Sequence, residues 1–375
     1  MAPSEDDALR HSAPDPRPGA DGGEDLPSKA VEDHGALPDI KALAPSEVRK
    51  LVAELDLPAY RVDQLVSWLH GRGVRDFGEM TDLSAPLRAA LSERYSIGAA
   101  VLERKVASRL DGTRKYLVRF SDGESVEAVG LPAGDRLTVC FSTQAGCAMG
   151  CAFCATGRQG LSRSLNCGEM VDQVRLISED FGRRASNAVA MGQGEPFANY
   201  EATLAGLRYM NAPKGLGIGA RHLTISTCGI APAIKRLAGE PEQFGLAVSL
   251  HSAVQETRDR LMPAMKAYPL TALHGALEGY SDISGRRPTF EYAMIEGVND
   301  TPEERRALVE FCRGMLCHVN LIPMNTVGDQ DLRRSRQDTI QTFLNALRAA
   351  GIEVSERLER GSDIDAACGQ LRARS

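Results

Sequence analysis

Apolar and polar positions follow different rhythms along the chain, and the changes of rhythm mark its divisions. Residues 1–40 show no periodic apolar pattern and are rich in Pro, Gly, Asp and Glu. Such a composition cannot bury enough surface to offset the entropy of ordering, which predicts a disordered extension. From Leu43 onward apolar residues recur at helical spacing: Val48, Leu51, Val52 and Leu55 behind Ser46 as a cap, then Val62, Leu65, Val66 and Leu69 after Pro58. With a weaker helix over 84–95, they predict a small helical domain spanning 41–97. Between 98 and 135 the pattern alternates, as in KYLVRF, and turns at Ser121-Asp122-Gly123. An Asp-Gly turn between alternating runs predicts a linking β-hairpin.

After Arg136 strands and helices take turns. The strands are expected near 138–142, 187–191, 222–226, 245–250, 289–295 and 318–323, with a short one at 352–355. The helices are expected near 168–182, 200–211, 230–238, 270–281, 302–316 and 335–350. Six βα units imply parallel strands with right-handed crossovers, hence an α/β fold with a partial (β/α)6 TIM-type barrel over 136–371.

The residues able to do chemistry fall at the ends of these strands. A cysteine loop follows the first, Gly192-Gln193-Gly194-Glu195-Pro196 the second, Ser226 ends the third, Ser249 and His251 end the fourth, and Asn325 follows the sixth. The C-terminal ends of barrel strands form the active face, so these groups converge on one mouth. In the loop CFSTQAGCAMGCAFC, Cys147, Cys151 and Cys154 are spaced C-x3-C-x2-C. Three thiolates on a [4Fe-4S] cube leave one iron open for chemistry, whereas structural zinc takes four ligands. A zinc knuckle completed by Cys140 or Cys167, or three unrelated buried thiols, are the alternatives. Glycines in the 192–196 loop allow close approach of a ligand, and Glu195 adds an acceptor. Ser226, Ser249 and Asn325 can bond a ribose or a carboxylate, though each alone is equally a strand-end polar residue. Cys368, between Asp365 and Gly369, lies in a shaped loop rather than a core helix.

Composition narrows the setting. The chain has 375 residues, 43% hydrophobic and 25% charged, and lacks both an apolar run long enough for a bilayer and the apolar core of a signal peptide, so a cytoplasmic protein is expected. Its nine cysteines lack the spacing of a disulfide framework, and Cys167, Cys228, Cys312 and Cys317 read as small buried hydrophobes. The net charge of −6 argues against nucleic acid only until it is divided, because residues 1–40 hold ten acids against three bases. The remainder is near neutral and can carry basic patches, for which Arg61, His70, Arg72 and Arg75 near the helical turns are candidates.

Longer strings add a resemblance. CATGRQGLSRSL, MGQGEPFANY, ISTCGIAPAI, AVSLHS, RLMPAMKAYPL, FEYAMIEGVND, HVNLIPMN and GSDIDAACGQL resemble the RlmN/Cfr family of radical S-adenosylmethionine (SAM) RNA methyltransferases, over 46–371. The resemblance implies that Cys147, Cys151 and Cys154 hold a [4Fe-4S] cluster, and that Gly194, Glu195, Ser226, Ser249, Leu250, His251 and Asn325 line the SAM site. It implies that Cys368 is S-methylated by one SAM, and that a second yields a 5′-deoxyadenosyl radical which activates that methyl group. Cys140 then resolves the RNA adduct as a disulfide with Cys368, and Glu127 accepts the ring proton. The implied substrates are 23S rRNA and tRNA, methylated at adenine carbon 2, with an electron donor such as flavodoxin and a monomeric enzyme. Methylation at carbon 8, as in the Cfr branch, uses the same cysteines. From other classes remain a zinc-stabilised RNA-binding protein and a radical enzyme rearranging a small molecule without need of Cys368. Gln193, Ser164 and Thr326 depart from the family pattern, where Met, Asn and Pro are common.

Overall fold

The helical module begins earlier than its apolar periodicity implies. The computed structural model describes residues 24–25, 37–325 and 332–371. Ile40 is fully buried, and Asp39 caps the 3-10 turn Ile40–Ala42 by accepting from Lys41 N (2.9 Å) and Gly98 N (2.8 Å). Asp39 and Ile40 thus belong to the module rather than to the extension. Of residues 1–36 only β1 (Glu24–Asp25) is described, paired antiparallel with β2 (Ala100–Ala107); the rest of those residues, expected to be disordered, lies outside the described ones.

Helix α1 (Pro45–Glu54) starts one residue before Ser46, whose expected capping role falls to Glu47, reaching back to Ala44 N at 2.6 Å. Helices α2 (Arg61–Val66) and α3 (Ala85–Ser92) complete the module, with a π-helical turn Ser67–Arg72 between them. The linker is larger than a hairpin. Strands β2, β3 (Arg114–Phe120) and β4 (Ser125–Ala133) form an antiparallel meander that joins the barrel sheet directly through β5 (Arg136–Cys140), with Val129 opposite Cys140. The 108–113 turn that makes the extra strand possible carries no Asn-Gly or Asp-Gly hairpin dipeptide apart from Asp111-Gly112, which alternation alone did not single out.

Within the cysteine loop, β6 (Gln144–Cys147) and β7 (Gly160–Ser164) form a separate two-stranded ribbon. Then helices and parallel strands alternate: α4 (Cys167–Asp180), β8 (Asn187–Ala190), α5 (Tyr200–Asn211), β9 (Leu223–Thr227), α6 (Ala231–Ala238), β10 (Gly245–Ser249), α7 (Gln255–Leu261), α8 (Leu270–Ser284), β11 (Thr289–Met294), α9 (Pro302–Cys312), β12 (His318–Pro323), α10 (Gln337–Ala349) and β13 (Glu353–Glu356). Strands β5, β8, β9, β10, β11, β12 and β13 neighbour one another in that order, all parallel, in one eleven-stranded sheet. This is the expected open barrel, and its inner apolar residues are continuous with the core of the helical module.

The module is fastened to α4 and α5 by buried polar contacts. Lys41 pairs with Asp172, Tyr209 Oη donates to Leu43 O at 2.6 Å, and the His70 ring stacks on Tyr209 at 3.8 Å. His70 is therefore an interface residue, not an RNA contact. Arg61 is held by Asp82 O (3.0 Å) and Arg72 lies over Trp68 (3.9 Å), bracing their own module, while Arg75 donates to Ala100 O on β2 (3.1 Å) and ties the module to the meander.

Burial lowers the His70 pKa to about 3, ahead of the Lys41 charge. The unfolded chain binds a proton near pH 6.5 that the folded chain refuses, so folded stability is full above pH 6.5 and falls as pH drops below it. Each unit costs about 1.4 kcal/mol per such histidine. His251 is lowered to about 3 by burial in the same way. Urea titrations between pH 6.5 and 4 are expected to show that slope, and His70→Phe should reduce it by one proton's worth. An unaltered slope contradicts this assignment.

Candidate active site

Two cavities open where the parallel strands end, and one thiol belongs to both. The first, of about 1090 Å³, is lined by Cys147, Cys151 and Cys154, by Gly192, Gly194 and Glu195 after β8, by Ser226, Thr227 and Cys228 from β9, by Ser249 and His251 from β10, and by Glu291, Asn325, Arg357 and Cys368. The second, of about 650 Å³, is lined by Val129, Leu131 and Cys140 and shares Met191, Asn325, Arg357 and Cys368 with the first.

The glycine loop owes its composition to packing rather than to a ligand. A Cβ on Gly192 would stand 2.7 Å from Phe141 O, and one on Gly194, whose φ is +102°, would stand 2.6 Å from Gln144 Cβ. Both glycines let the loop lie against the end of β5 and the start of β6. Glu195 Oε1 accepts from Phe197 N (3.0 Å) and Oε2 from Cys228 N (2.7 Å), bracing two strand ends. Burial raises its pKa against those bonds.

His251 has φ +55°, its Nδ1 accepts from Ala293 N (2.9 Å), and Phe153 meets its ring edge-on at 4.4 Å. It is neutral at pH 7, with its proton on Nε2. Asn325 Nδ2 donates to Cys368 O (3.4 Å), while its Oδ1 is buried without a partner, an acceptor suited to a ligand hydroxyl or ammonium. Leu250, expected at the SAM site, does not line the cavity; its side chain lies in the core and its N–H donates to Glu291 O (3.0 Å). Alternation along β10 turns it away from its neighbours Ser249 and His251.

Cys368 is held by bonds from three directions. Ala155 N donates to Gly369 O (2.8 Å) and Thr156 Oγ1 to Leu371 O (2.6 Å) from the cysteine loop. Lys115 Nζ donates to Asp365 O (3.3 Å) and Arg109 N to Asp363 (3.0 Å) from the meander. Arg357, partly buried, faces Cys368, Cys140 and Glu291, and its pKa is raised first by the charge of a Cys368 thiolate. The Cys140 thiol is pushed up to about 12 by burial and then by Cys368, with Arg357 opposing. Glu127 lines neither cavity. It lies on β4 two residues from Val129, paired with Lys115 at 3.2 Å.

Sequence reasoning missed Arg357, Glu291, Lys115 and Cys228. Arg357 follows the last parallel strand and Glu291 is a lone acid in a buried strand, so the strand-end rule and the break in apolar run were usable signals. Cys228, read as a core hydrophobe, stands with its Sγ 4.0 Å from Cys151 Sγ on the cavity wall. Cys167 fits that reading, its thiol meeting Lys41 O at 3.3 Å under α4. Of the departures from family pattern, Gln193 is buried with both amide atoms unpartnered, Ser164 accepts from Gln144 (3.1 Å), and Thr326 lies outside the described residues.

The barrel with its cysteine loop defines a radical SAM enzyme. The Radical SAM superfamily model matches residues 141–339, and the Ribosomal RNA large subunit methyltransferase N-terminal domain model matches 39–97. A crystal structure of a radical SAM methyltransferase from Sphaerobacter thermophilus superposes with a TM-score of 0.81 at 43% identity, over 90% of this chain and all of that one. Two relatives named probable dual-specificity RNA methyltransferase RlmN, from Alkaliphilus oremlandii and Nostoc sp., are 44% and 46% identical over 89% and 88% of this chain and 97% and 92% of their own lengths. The chain belongs to the RlmN family of methyltransferases.

That family implies a [4Fe-4S] cluster and SAM. Among the described residues no three His, Cys, Asp or Glu side chains stand close enough to hold one metal ion. A cube takes one thiolate per iron and spaces its ligands more widely than a tetrahedral ion, so three soft thiols around one cavity fit it. Cys140 and Cys167, the fourth ligands a zinc knuckle would need, do not line that cavity. After anaerobic reconstitution, Cys147→Ala, Cys151→Ala and Cys154→Ala are each expected to lose iron and visible absorbance. Cys228→Ser should retain both; loss of iron there would make Cys228 a ligand.

Proposed function

We propose that this enzyme methylates carbon 2 of an adenosine in 23S rRNA, and of tRNA, through an S-methylcysteine at Cys368. The observation that carries the reading is the position of Cys368 on the wall between the cavity of the three cluster cysteines and the cavity of Cys140. An RNA substrate is supported by the relatives' name, and a large-subunit ribosomal RNA by the description of the matching N-terminal domain; tRNA is the second substrate in this reading. The helical module then serves RNA docking and residues 136–371 the chemistry. Among the described residues no helix is long and apolar enough to cross a membrane. The reading is completed by a monomeric cytoplasmic enzyme that takes electrons from a donor such as flavodoxin.

The cluster and SAM, held by Cys147, Cys151 and Cys154 and by Glu195, Ser226, Ser249, His251 and Asn325, supply a radical able to take hydrogen from an unactivated methyl group. Carbon 2 of adenine is not a nucleophile, so the methyl must first rest on a residue that can present it from both sides. Cys368 as thiolate takes a methyl group by displacement at the sulfonium carbon. The second cavity receives the adenine opposite that sulfur. Once a methylene bridges Cys368 to the ring, Glu127, on β4 beyond the cavity wall, is assigned to accept the ring proton, and Cys140 attacks the Cys368 sulfur, so that the S–C bond breaks as an S–S bond forms and the electron pair left on the methylene carbon takes a proton to complete the methyl group. Lys115 pairs with the Glu127 carboxylate at 3.2 Å. Arg357 opposes the burial that pushes the Cys140 thiol up, favouring the thiolate that attacks.

Methyl transfer to an rRNA fragment should vanish in Cys368→Ala, and mass mapping of the wild-type product should place the methyl on carbon 2; a methyl on carbon 8 overturns the regiochemistry. Cys140→Ala should trap RNA covalently on the protein, and normal turnover without an adduct removes Cys140 from the release step. Arg357→Gln is expected to slow release about tenfold, as one pKa unit of lost thiolate requires, and raising the pH by one unit should restore most of it. A deficit that pH does not touch would give Arg357 a different role.

A further inference from the structure

Arg258 is the largest fully buried side chain among the described residues, and the proposed chemistry does not use it. It lies on α7, the short helix between β10 and α8. Its Nη2 donates to Cys228 O at 2.7 Å, while Nε and Nη1 are buried with no partner. Among the described residues it forms no ion pair, and the neighbouring Asp259 is engaged by Gln255 Nε2 at 2.6 Å. A guanidinium stays charged in any protein environment, and an unpaired buried charge is strongly unfavourable. A fold that keeps one needs a negative group for it.

The direction in which it faces identifies that group. Cys228, whose carbonyl holds the guanidinium, has its Sγ 4.0 Å from Cys151 Sγ on the cluster cavity. The end of α7 is bonded to the cysteine loop itself, Ala152 N donating to Leu261 O at 2.9 Å, and Leu261, Met262 and Cys151 share one apolar cluster. Room for the cation comes from Gly229, at φ +107°, where a Cβ would stand 2.9 Å from Nη2. A cation has been threaded behind the loop that bears the three cysteines assigned to the cluster. Glu195 and Glu291, the acids lining that cavity among the described residues, are engaged by Phe197 N and Cys228 N and by Asn320 and Arg357, which leaves the thiolates as the negative charge still to be matched.

We infer that Arg258 is the buried counter-charge of the iron-sulfur cluster, a positioning residue that holds the cluster's reduction potential high enough for its electron donor. The inference rests on the cluster assignment to Cys147, Cys151 and Cys154. Three thiolates around a [4Fe-4S] core leave a net negative unit that gains one further negative charge on reduction. A fixed cation in a dry surrounding favours the more negative state, and net charge and solvent exposure are among the main determinants of such potentials.

The test is EPR-monitored redox titration of the reconstituted enzyme carrying Arg258→Lys or Arg258→Gln, with iron content measured alongside. Both replacements can donate to the Cys228 carbonyl, and only lysine keeps the charge. Arg258→Gln with full iron is expected to lower the reduced-to-oxidised ratio at a fixed potential at least tenfold, a shift of about 59 mV for one electron, while Arg258→Lys stays near the wild type. Iron retained by Lys and lost by Gln supports the same role, since the charge then decides whether the cluster is held. A wild-type potential in loaded Arg258→Gln, an equal fall in both variants, or failure of both to load iron overturns it, because shape or the hydrogen bond would then matter and charge would not. Loss of iron from Cys147→Ala is the separate check on the cluster site, so the two assignments fail independently.

Discussion

Two hydrogen bonds, from Ala155 N to Gly369 O and from Thr156 Oγ1 to Leu371 O, decide where the chemistry can occur. They fasten a loop near residue 370 to the loop that holds the cluster cysteines, joining segments more than two hundred residues apart in sequence. Buried backbone carbonyls must find donors, and these find them on the cysteine loop rather than on water. The bonds place Cys368 on a wall instead of leaving it on a free tail. The meander provides the opposite anchorage through Lys115 and Arg109, which explains why the antiparallel strands run straight into the barrel sheet. A hairpin hanging off the barrel would have given the loop nothing firm to lean on.

The barrel itself was readable because short strands with alternating or continuous apolar positions are separated by helices of ordinary length. Strand ends fell within a residue or two of their expected positions, and so did the polar groups mounted on them. The features that escaped do not depend on periodicity. Helix α7 has seven residues and buries an arginine, so no amphipathic pattern announces it. β7 reads GLSRS with most positions exposed, and its partner β6 is a glycine-containing quartet, so neither has the composition of a strand. Glu47 displaced Ser46 as the group that closes the start of α1 because a carboxylate three residues into a helix can reach back to a free N–H.

Most of the polar groups expected at the strand ends line the first cavity, whereas Leu250 and Glu127 line neither, and the reasons for each placement were less legible. Gly192 and Gly194 stand where expected, yet the atoms that would collide with a side chain belong to Phe141 and Gln144. Leu250 is adjacent to two cavity residues in sequence and faces the other way, a distinction that strand alternation decides. Arg357 and Arg258 show the general limit most clearly. An arginine in a sequence looks like solvent-facing charge, and only three-dimensional placement reveals what negative group it serves.

The shared wall also bears on which thiols are free to react. Cys368 faces Cys140 on one side and the cavity of Cys147, Cys151, Cys154 and Cys228 on the other. A disulfide formed at Cys368 is open to attack by any thiolate that reaches it. On the proposed cluster assignment, metal bound to three of those thiols would take them out of exchange, and iron would act at this mouth as a protecting group. The productive disulfide of the proposed cycle would then be selected by what the metal masks as much as by where Cys140 stands.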